Sequence, residues 1–231
     1  MNAASRAPWR ENLNASRGLI AVEFALIGSV FVADSFHHIY LSKTPYLLVL
    51  GLISLAIRGQ RWRAVGLRIP NDWQRHLLIG ILVGASMELL ELFVTQPLLV
   101  AVTGKYADFK DLEGMVGNIR LLLLAVAASW VLAAVGEELV WRGYILNRVL
   151  DALGRTRIGW ALSVAIVSLA FGLAHAPQGV TGVAENTIDG ALLAVVYVAC
   201  GRNLFAPIIA HGIADTIDVL IIFAGRYPGM N

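Results

Sequence analysis

The sequence VGEELVWRGYI (residues 135–145) places two glutamates and an arginine in an otherwise apolar run. On a helix, Glu138 and Arg142 share one face at i,i+4, in the favourable order for an ion pair. Glu137 is rotated by about 100° and lacks that partner. Charges at a helix end can extend to the polar interface, which is the alternative explanation. Because burying a surplus carboxylate in apolar surroundings is costly, we favour a functional role.

Two further runs contain histidines. In SLAFGLAHAPQG, Phe171 and His175 lie four residues apart on one face, and the alternative to a functional role is that His175 caps the helix end. In NLFAPIIAHGIADTIDVL, His211 and Asp215 also share a face. They lie about 12 Å into the segment, where capping is impossible. A polar pair at that depth must be hydrogen-bonded.

The turn LGRTR (residues 153–157) links two apolar runs and predicts an antiparallel helical hairpin. Glu137 precedes this turn and His175 follows it at nearly equal distances, roughly 27–30 Å along each helix. The two side chains are therefore expected at one level. An acid beside an imidazole in a sheltered place can act as a general base toward water.

The elements that must position these residues are membrane helices. The chain has 231 residues, of which 58% are hydrophobic and 15% charged, a composition typical of a polytopic membrane protein. We predict an all-α fold of seven to eight transmembrane helices around a polar cavity, in one domain spanning 1–231 with a polar, basic tail at 1–17. Pro97 could interrupt the third run. The apolar runs are 18–36, 45–58, 75–103, 118–153, 157–176, 187–201 and 203–225.

The charges predict an orientation. Five arginines (Arg58, Arg61, Arg63, Arg68 and Arg75) crowd one connection and indicate a cytoplasmic loop, which could also bind anionic lipid. They border membrane segments, so nucleic-acid binding is not expected. The lone Cys200 excludes an intrachain disulfide. The arginines put the 153–157 turn inside and the Glu137 level toward the outer side.

Three motifs occur in order: EELVWR fits EExxxR, FGLAH fits FxxxH, and HGIAD fits HxxxN/D. With VGLRIPNDW and GRNLFAPIIAH, they resemble the CAAX prenyl endopeptidase type II and bacteriocin-processing family of intramembrane glutamate proteases. The resemblance covers about residues 64–222. It implies an integral, multi-pass endopeptidase, of the plasma membrane, that cleaves a membrane-associated protein or peptide, prenylated or not. Prenyl-protein processing would need access from the cytosol, so the side to which the site opens stays undecided, as does the oligomeric state.

The resemblance also implies residue roles. Glu137 would activate water with the help of His175, while Glu138 and Arg142 would hold the geometry. His211 and Asp215 would face the oxygen of the scissile carbonyl, and Trp141 and Phe171 would contact substrate. An ionised Asp215 can only accept hydrogen bonds, unlike the Asn of other members, so it would orient His211.

Alternatives stay open. Glu137, His175 and His211 could bind zinc, but no HExxH pair occurs and the resemblance favours a site without metal or cofactor. The same fold could serve as a non-catalytic immunity or partner-binding protein. Glu88 and Glu91 lie in the third apolar run, where carboxylates also mark ion paths, so a transporter is a more distant alternative.

Overall fold

The computed structural model describes residues 16–39 and 42–230, so the predicted tail lies outside the described residues except for its last two positions. Within the described part, six helices are long and apolar enough to cross a membrane, and a seventh apolar helix is shorter. No strand occurs in these ranges. The predicted all-α, polytopic membrane fold is confirmed. The helices are α1 (Arg17–Ser35), α2 (Lys43–Ile57), α3 (Trp73–Thr103), α4 (Ile119–Leu153), α5 (Arg157–Ala174), α6 (Gly179–Ala199) and α7 (Phe205–Phe223).

Helix α6 differs from the predicted run 187–201, because it begins eight residues earlier, at Gly179. The extra turns carry Glu185 and Asn186, which made this stretch too polar to be recognised as part of a span. Both side chains line an internal cavity instead of facing lipid. A helix surrounded by partners can therefore carry polar residues that a lipid-facing helix cannot.

Pro97 does not interrupt α3, which continues from Trp73 to Thr103. A π-helical segment, Glu91–Thr95, lies just before the proline, and Pro97 stands in the first turn of the α-helical part that follows. In that position the lack of a proline N–H costs the helix little hydrogen bonding. Helix α4 contains two more π-helical segments, Ser129–Glu137 and Leu139–Ile145. Such segments are rare and are often found at functional sites.

Successive helices alternate in direction, which gives the bundle two faces. The arginine face carries the connections 58–72, 154–156 and 200–204, and Leu204 N–H donates to the Gly66 carbonyl across it (3.0 Å). The opposite face carries the connections 104–118 and 175–178. There, Asp108 N–H donates to the Gln178 carbonyl (3.0 Å).

The second half of α4 is the centre of the bundle. Val140, Leu146 and Leu150 are each fully buried. Close packing elsewhere depends on glycine: a Cβ at Gly80 would lie 2.6 Å from the Cβ of Ile209, and one at Gly84 would collide with the Ala210 backbone. These small residues let α3 and α7 approach one another closely.

Candidate active site

A cavity of about 240 Å³ lies between α3, α4, α5, α6 and α7. Glu137, His175, His211 and Asp215, which come from three separate sequence motifs, all line it. The structure therefore brings these predicted residues to one polar space. Phe109, Leu112 and Gln178 also line the cavity, and they belong to the connections of the opposite face.

Glu138 joins two of the motifs. Its Oε1 accepts hydrogen bonds from Arg142 Nη1 (2.5 Å) and from His211 Nδ1 (3.0 Å). Glu138 is fully buried and Arg142 is 1% exposed. Arg142 Nη2 also donates to the Gly190 carbonyl of α6 (3.1 Å). The predicted Glu138–Arg142 pair thus forms, and it binds α4 to both α6 and α7.

His211 lies between two carboxyl groups. Its Nδ1 faces Glu138, and its Nε2 lies 3.5 Å from Asp215 Oδ1. A carboxylate accepts but does not donate, so Nδ1 carries the proton when Glu138 is ionised. In the doubly protonated ring, each N–H could therefore donate a hydrogen bond to its own carboxylate. Ser129 lies within hydrogen-bonding range of Asp215.

The tautomer of His175 follows from a contact with the backbone. Its Nδ1 lies 2.8 Å from the Phe171 carbonyl oxygen. A carbonyl can only accept, so Nδ1 carries the proton. In the neutral ring, Nε2 then has the lone pair. A histidine in this tautomer can accept a proton or a hydrogen bond from water.

Glu137 makes no ion pair with any residue in the described ranges. It lines the central cavity and also a second cavity of about 200 Å³ beside the start of α2. His175 lines the same two cavities. The predicted meeting of this acid and imidazole at one level agrees with these positions, while neighbouring Glu138 is held in the core.

Phe171 and Trp141, predicted to contact substrate, are 2% and 4% exposed. The Phe171 ring packs edge-on against Trp141 (5.3 Å between centroids) and against His175 (4.7 Å, tilted 61°). Arg142 stacks over the same ring at 4.8 Å. Phe171 lines the central cavity and Trp141 the smaller one. The Phe171 ring therefore packs against both Arg142 and His175, with Trp141 against its edge.

The cavity holds acids that the motifs did not indicate. Glu185 and Asp189 of α6 and Asp218 of α7 line it, together with Glu88 and Glu91 of α3. Glu88 and Glu185 are 2% and 3% exposed. The i,i+4 spacing of Glu185 and Asp189 was the available signal, but the predicted α6 began after Glu185.

Several of these acids lie close to one another or to a tyrosine. Glu88 is within hydrogen-bonding range of Asp218, and Glu91 of Asp189. Tyr227, beyond the end of α7, donates from its hydroxyl to Glu91 Oε1 (3.3 Å). Burial, and then the neighbouring carboxylates, raise the pKa of Tyr227, so its hydroxyl remains a donor.

In the ranges that the structure describes, no group of three or more His, Cys, Asp or Glu side chains could hold a metal ion.

Comparison with known families identifies this region. Residues 119–217 match the family described as type II CAAX prenyl endopeptidase Rce1-like. The match contains all three motifs, while the resemblance inferred from sequence began earlier, at about residue 64. No curated protein and no solved structure matches the chain.

Proposed function

We propose that the chain hydrolyses peptide bonds inside the membrane, because residues 119–217 match the protease family described as type II CAAX prenyl endopeptidase Rce1-like. The substrate is a membrane-associated protein or peptide. Glu137 is the general base, His175 its partner, and His211 the donor to the developing oxyanion. Glu138, Arg142 and Asp215 position these groups.

The Glu137 carboxylate and Nε2 of His175 are the two groups that we propose to activate water. Glu137 has no ion-pair partner within the described residues, and His175 turns Nε2 away from its backbone contact. A water held between them would lose a proton to Glu137 as its oxygen attacks the carbonyl carbon. The protonated Glu137 then donates to the leaving amine, which restores the carboxylate. General acid–base catalysis of this kind contributes about 10²–10⁴-fold.

The developing oxyanion needs a donor fixed in advance. Glu138, which is itself bound by Arg142, holds the His211 ring by its Nδ1 and leaves Nε2 facing the cavity beside Asp215. In the doubly protonated ring, this Nε2–H can move from Asp215 to the oxyanion. Removing one such donor costs about 10²–10³-fold in the catalytic rate.

One observation carries the proposal: adjacent glutamates have different surroundings. Glu138 is fully buried, with Oε1 shared by Arg142 and His211, whereas Glu137 lines the cavity. A carboxylate serving only structure would be expected to have its charge compensated as Glu138 does. The Glu137 carboxylate instead faces the cavity, where it can bind water.

The test is cleavage of quenched-fluorescence peptides by purified protein in lipid nanodiscs, with prenylated and unprenylated versions of each peptide. We expect Glu137→Gln to reduce turnover by at least about 10²-fold while the melting temperature stays near that of the wild type. Glu113→Gln, on the exposed 104–118 connection, is the matched control. Full activity in the Glu137→Gln protein would contradict the assignment. A non-catalytic partner-binding protein would keep its cellular phenotype in the same variant.

A second candidate function is movement of protons or cations. The acids Glu88, Glu91, Glu185, Asp189 and Asp218 line one cavity, and carboxyl groups at this depth also occur in ion pathways. Proteoliposome flux separates the two candidates. Flux that is lost in Asp218→Asn but kept in Glu137→Gln would support transport; absence of flux with peptide cleavage present would support the protease.

A further inference from the structure

A second polar pocket lies on the arginine face, where α4 and α6 end. Its volume is about 300 Å³, and its walls come from the connections 58–72 and 200–204 and from the last turns of α4. The proposed catalytic residues do not line it. Four arginines line this pocket, which we call the arginine pocket: Arg68, Arg148, Arg155 and Arg202.

The arginine pocket carries excess positive charge. Asp151 is the one carboxylate among its lining residues, and it binds two of the arginines. Arg148 Nη2 lies 3.0 Å from Asp151 Oδ2, and Arg155 Nη2 lies 2.8 Å from Oδ1. Arg68 and Arg202 are exposed and form no ion pair in the described part of the chain. Glu23, whose charge also reaches Arg148, is already bound to Arg58 by two hydrogen bonds.

Arg148 supplies independent evidence of a missing partner. The residue is 2% exposed, yet its Nε and Nη1 have no hydrogen-bond partner among the described residues. A guanidinium is always charged and presents five N–H donors, so leaving the three on Nε and Nη1 buried without acceptors is costly. An anion in the pocket would supply those acceptors.

The walls of the pocket are fixed before any ligand binds. Tyr197 donates from its hydroxyl to the Val65 carbonyl (2.9 Å), and Asn147 Nδ2 donates to that hydroxyl (3.2 Å). Asn147 Oδ1 accepts from Arg155 Nη2 (3.4 Å). Arg202 has a φ of +58°, a left-handed conformation that is uncommon for a residue with a side chain. Strained residues of this kind concentrate at ligand sites.

We propose that the arginine pocket binds a phosphate group, supplied by an anionic phospholipid headgroup or by free phosphate. Planar guanidinium groups match the tetrahedral phosphate oxygens, with two parallel hydrogen bonds from each arginine. The pocket lies where transmembrane helices end, which is the depth of lipid headgroups. This site is independent of the proposed peptidase activity.

The experiment measures phosphate binding by purified, delipidated full-length protein. Thermal unfolding is followed in phosphate and in chloride at equal ionic strength, and lipid retention is measured by native mass spectrometry with phosphatidylglycerol or phosphatidylcholine. Arg148→Gln would leave Asp151 without one partner and could unfold the chain, so the exposed arginines are changed instead. The test variant is Arg68→Gln with Arg202→Asn, because Asn tolerates the left-handed backbone. The matched control is Arg61→Gln with Arg63→Gln, from the same connection.

We expect the test variant to bind about 10–100-fold more weakly than the wild type, and the control to bind within about twofold. Stabilisation by inorganic phosphate identifies the free anion as a ligand. Selective retention of phosphatidylglycerol identifies the headgroup. The proposal is overturned if neither ligand binds, if phosphatidylcholine is retained equally, or if both double variants bind like the wild type.

Discussion

Glu138 and His211 are 73 positions apart in the chain and meet across the bundle, with His211 Nδ1 lying 3.0 Å from Glu138 Oε1. The same Glu138 oxygen accepts from Arg142. One carboxylate therefore fixes the ring of a candidate catalytic histidine and compensates a buried guanidinium.

This contact predicts that the two adjacent glutamates differ in their effect on stability. Glu138→Ala leaves Arg142 buried without its carboxylate, and we expect a loss of about 3–5 kcal/mol. Glu137→Ala, at the cavity wall, should change stability by at most about 1 kcal/mol. Reversible unfolding in mixed micelles measures both. Equal losses in the two variants would contradict the division of roles.

A second prediction concerns the buried pair between α1 and α2. Arg58 Nη2 binds Glu23 Oε2 at 3.0 Å, and Arg58 is 2% exposed. Glu23→Gln should cost about 3–5 kcal/mol, because the guanidinium keeps its charge without a counter-ion.

The control for that pair is Asp34→Asn, which removes the partly exposed ion pair with Lys43 and should cost about 0–1 kcal/mol. Replacing both residues, as Glu23→Leu with Arg58→Met, should recover most of the loss. If Glu23→Gln is no more harmful than Asp34→Asn, the pair does not hold α1 in place.

A third prediction tests the contact between α3 and α7. At Gly84 a Cβ would collide with the Ala210 backbone, which cannot rotate away as a side chain can. Gly84→Ala should therefore destabilise the protein by about 1–3 kcal/mol. At Gly28 of α1 a Cβ meets nothing within 4 Å, so Gly28→Ala should stabilise by about 0.5–1 kcal/mol. Unfolding of both variants under one set of conditions decides the sign at each position.

A fourth prediction concerns the histidine protons. The Nδ1 contacts of His175 with a carbonyl and of His211 with a carboxylate require a proton on Nδ1 in both rings. ¹⁵N-histidine NMR in nanodiscs should show a protonated Nδ1 for each, with assignment from His175→Asn and His211→Asn variants. A neutral His175 ring protonated at Nε2 would remove it as a partner for the water.

A fifth prediction concerns orientation. The arginine face should be cytoplasmic by the positive-inside rule, so the connection 104–118 should face outward. In a Cys200→Ala background, a membrane-impermeant maleimide added to intact cells should label Glu113→Cys and not Arg157→Cys. After permeabilisation, both positions should react. The reverse pattern would place the cavity opening toward the cytosol.

The sequence alone determined the parts of this protein that depend on local composition. Apolar runs predicted the membrane helices because the bilayer requires about 20 apolar residues for each crossing. The motifs containing Glu137, His175 and His211 indicated the protease family, which the match to residues 119–217 confirms. The i,i+4 spacing gave the Glu138–Arg142 pair, since helix geometry alone brings those side chains together.

Only the tertiary structure decided which distant groups meet. The contact of Glu138 with His211, the burial of Glu23 against Arg58 and the pocket around Arg148 each join different helices. Helix α6 was mispredicted at its start for the same reason: Glu185 is compatible with a span because other helices shelter it. Periodicity describes one helix, whereas the cost of a buried charge depends on what the neighbouring helices bring to it.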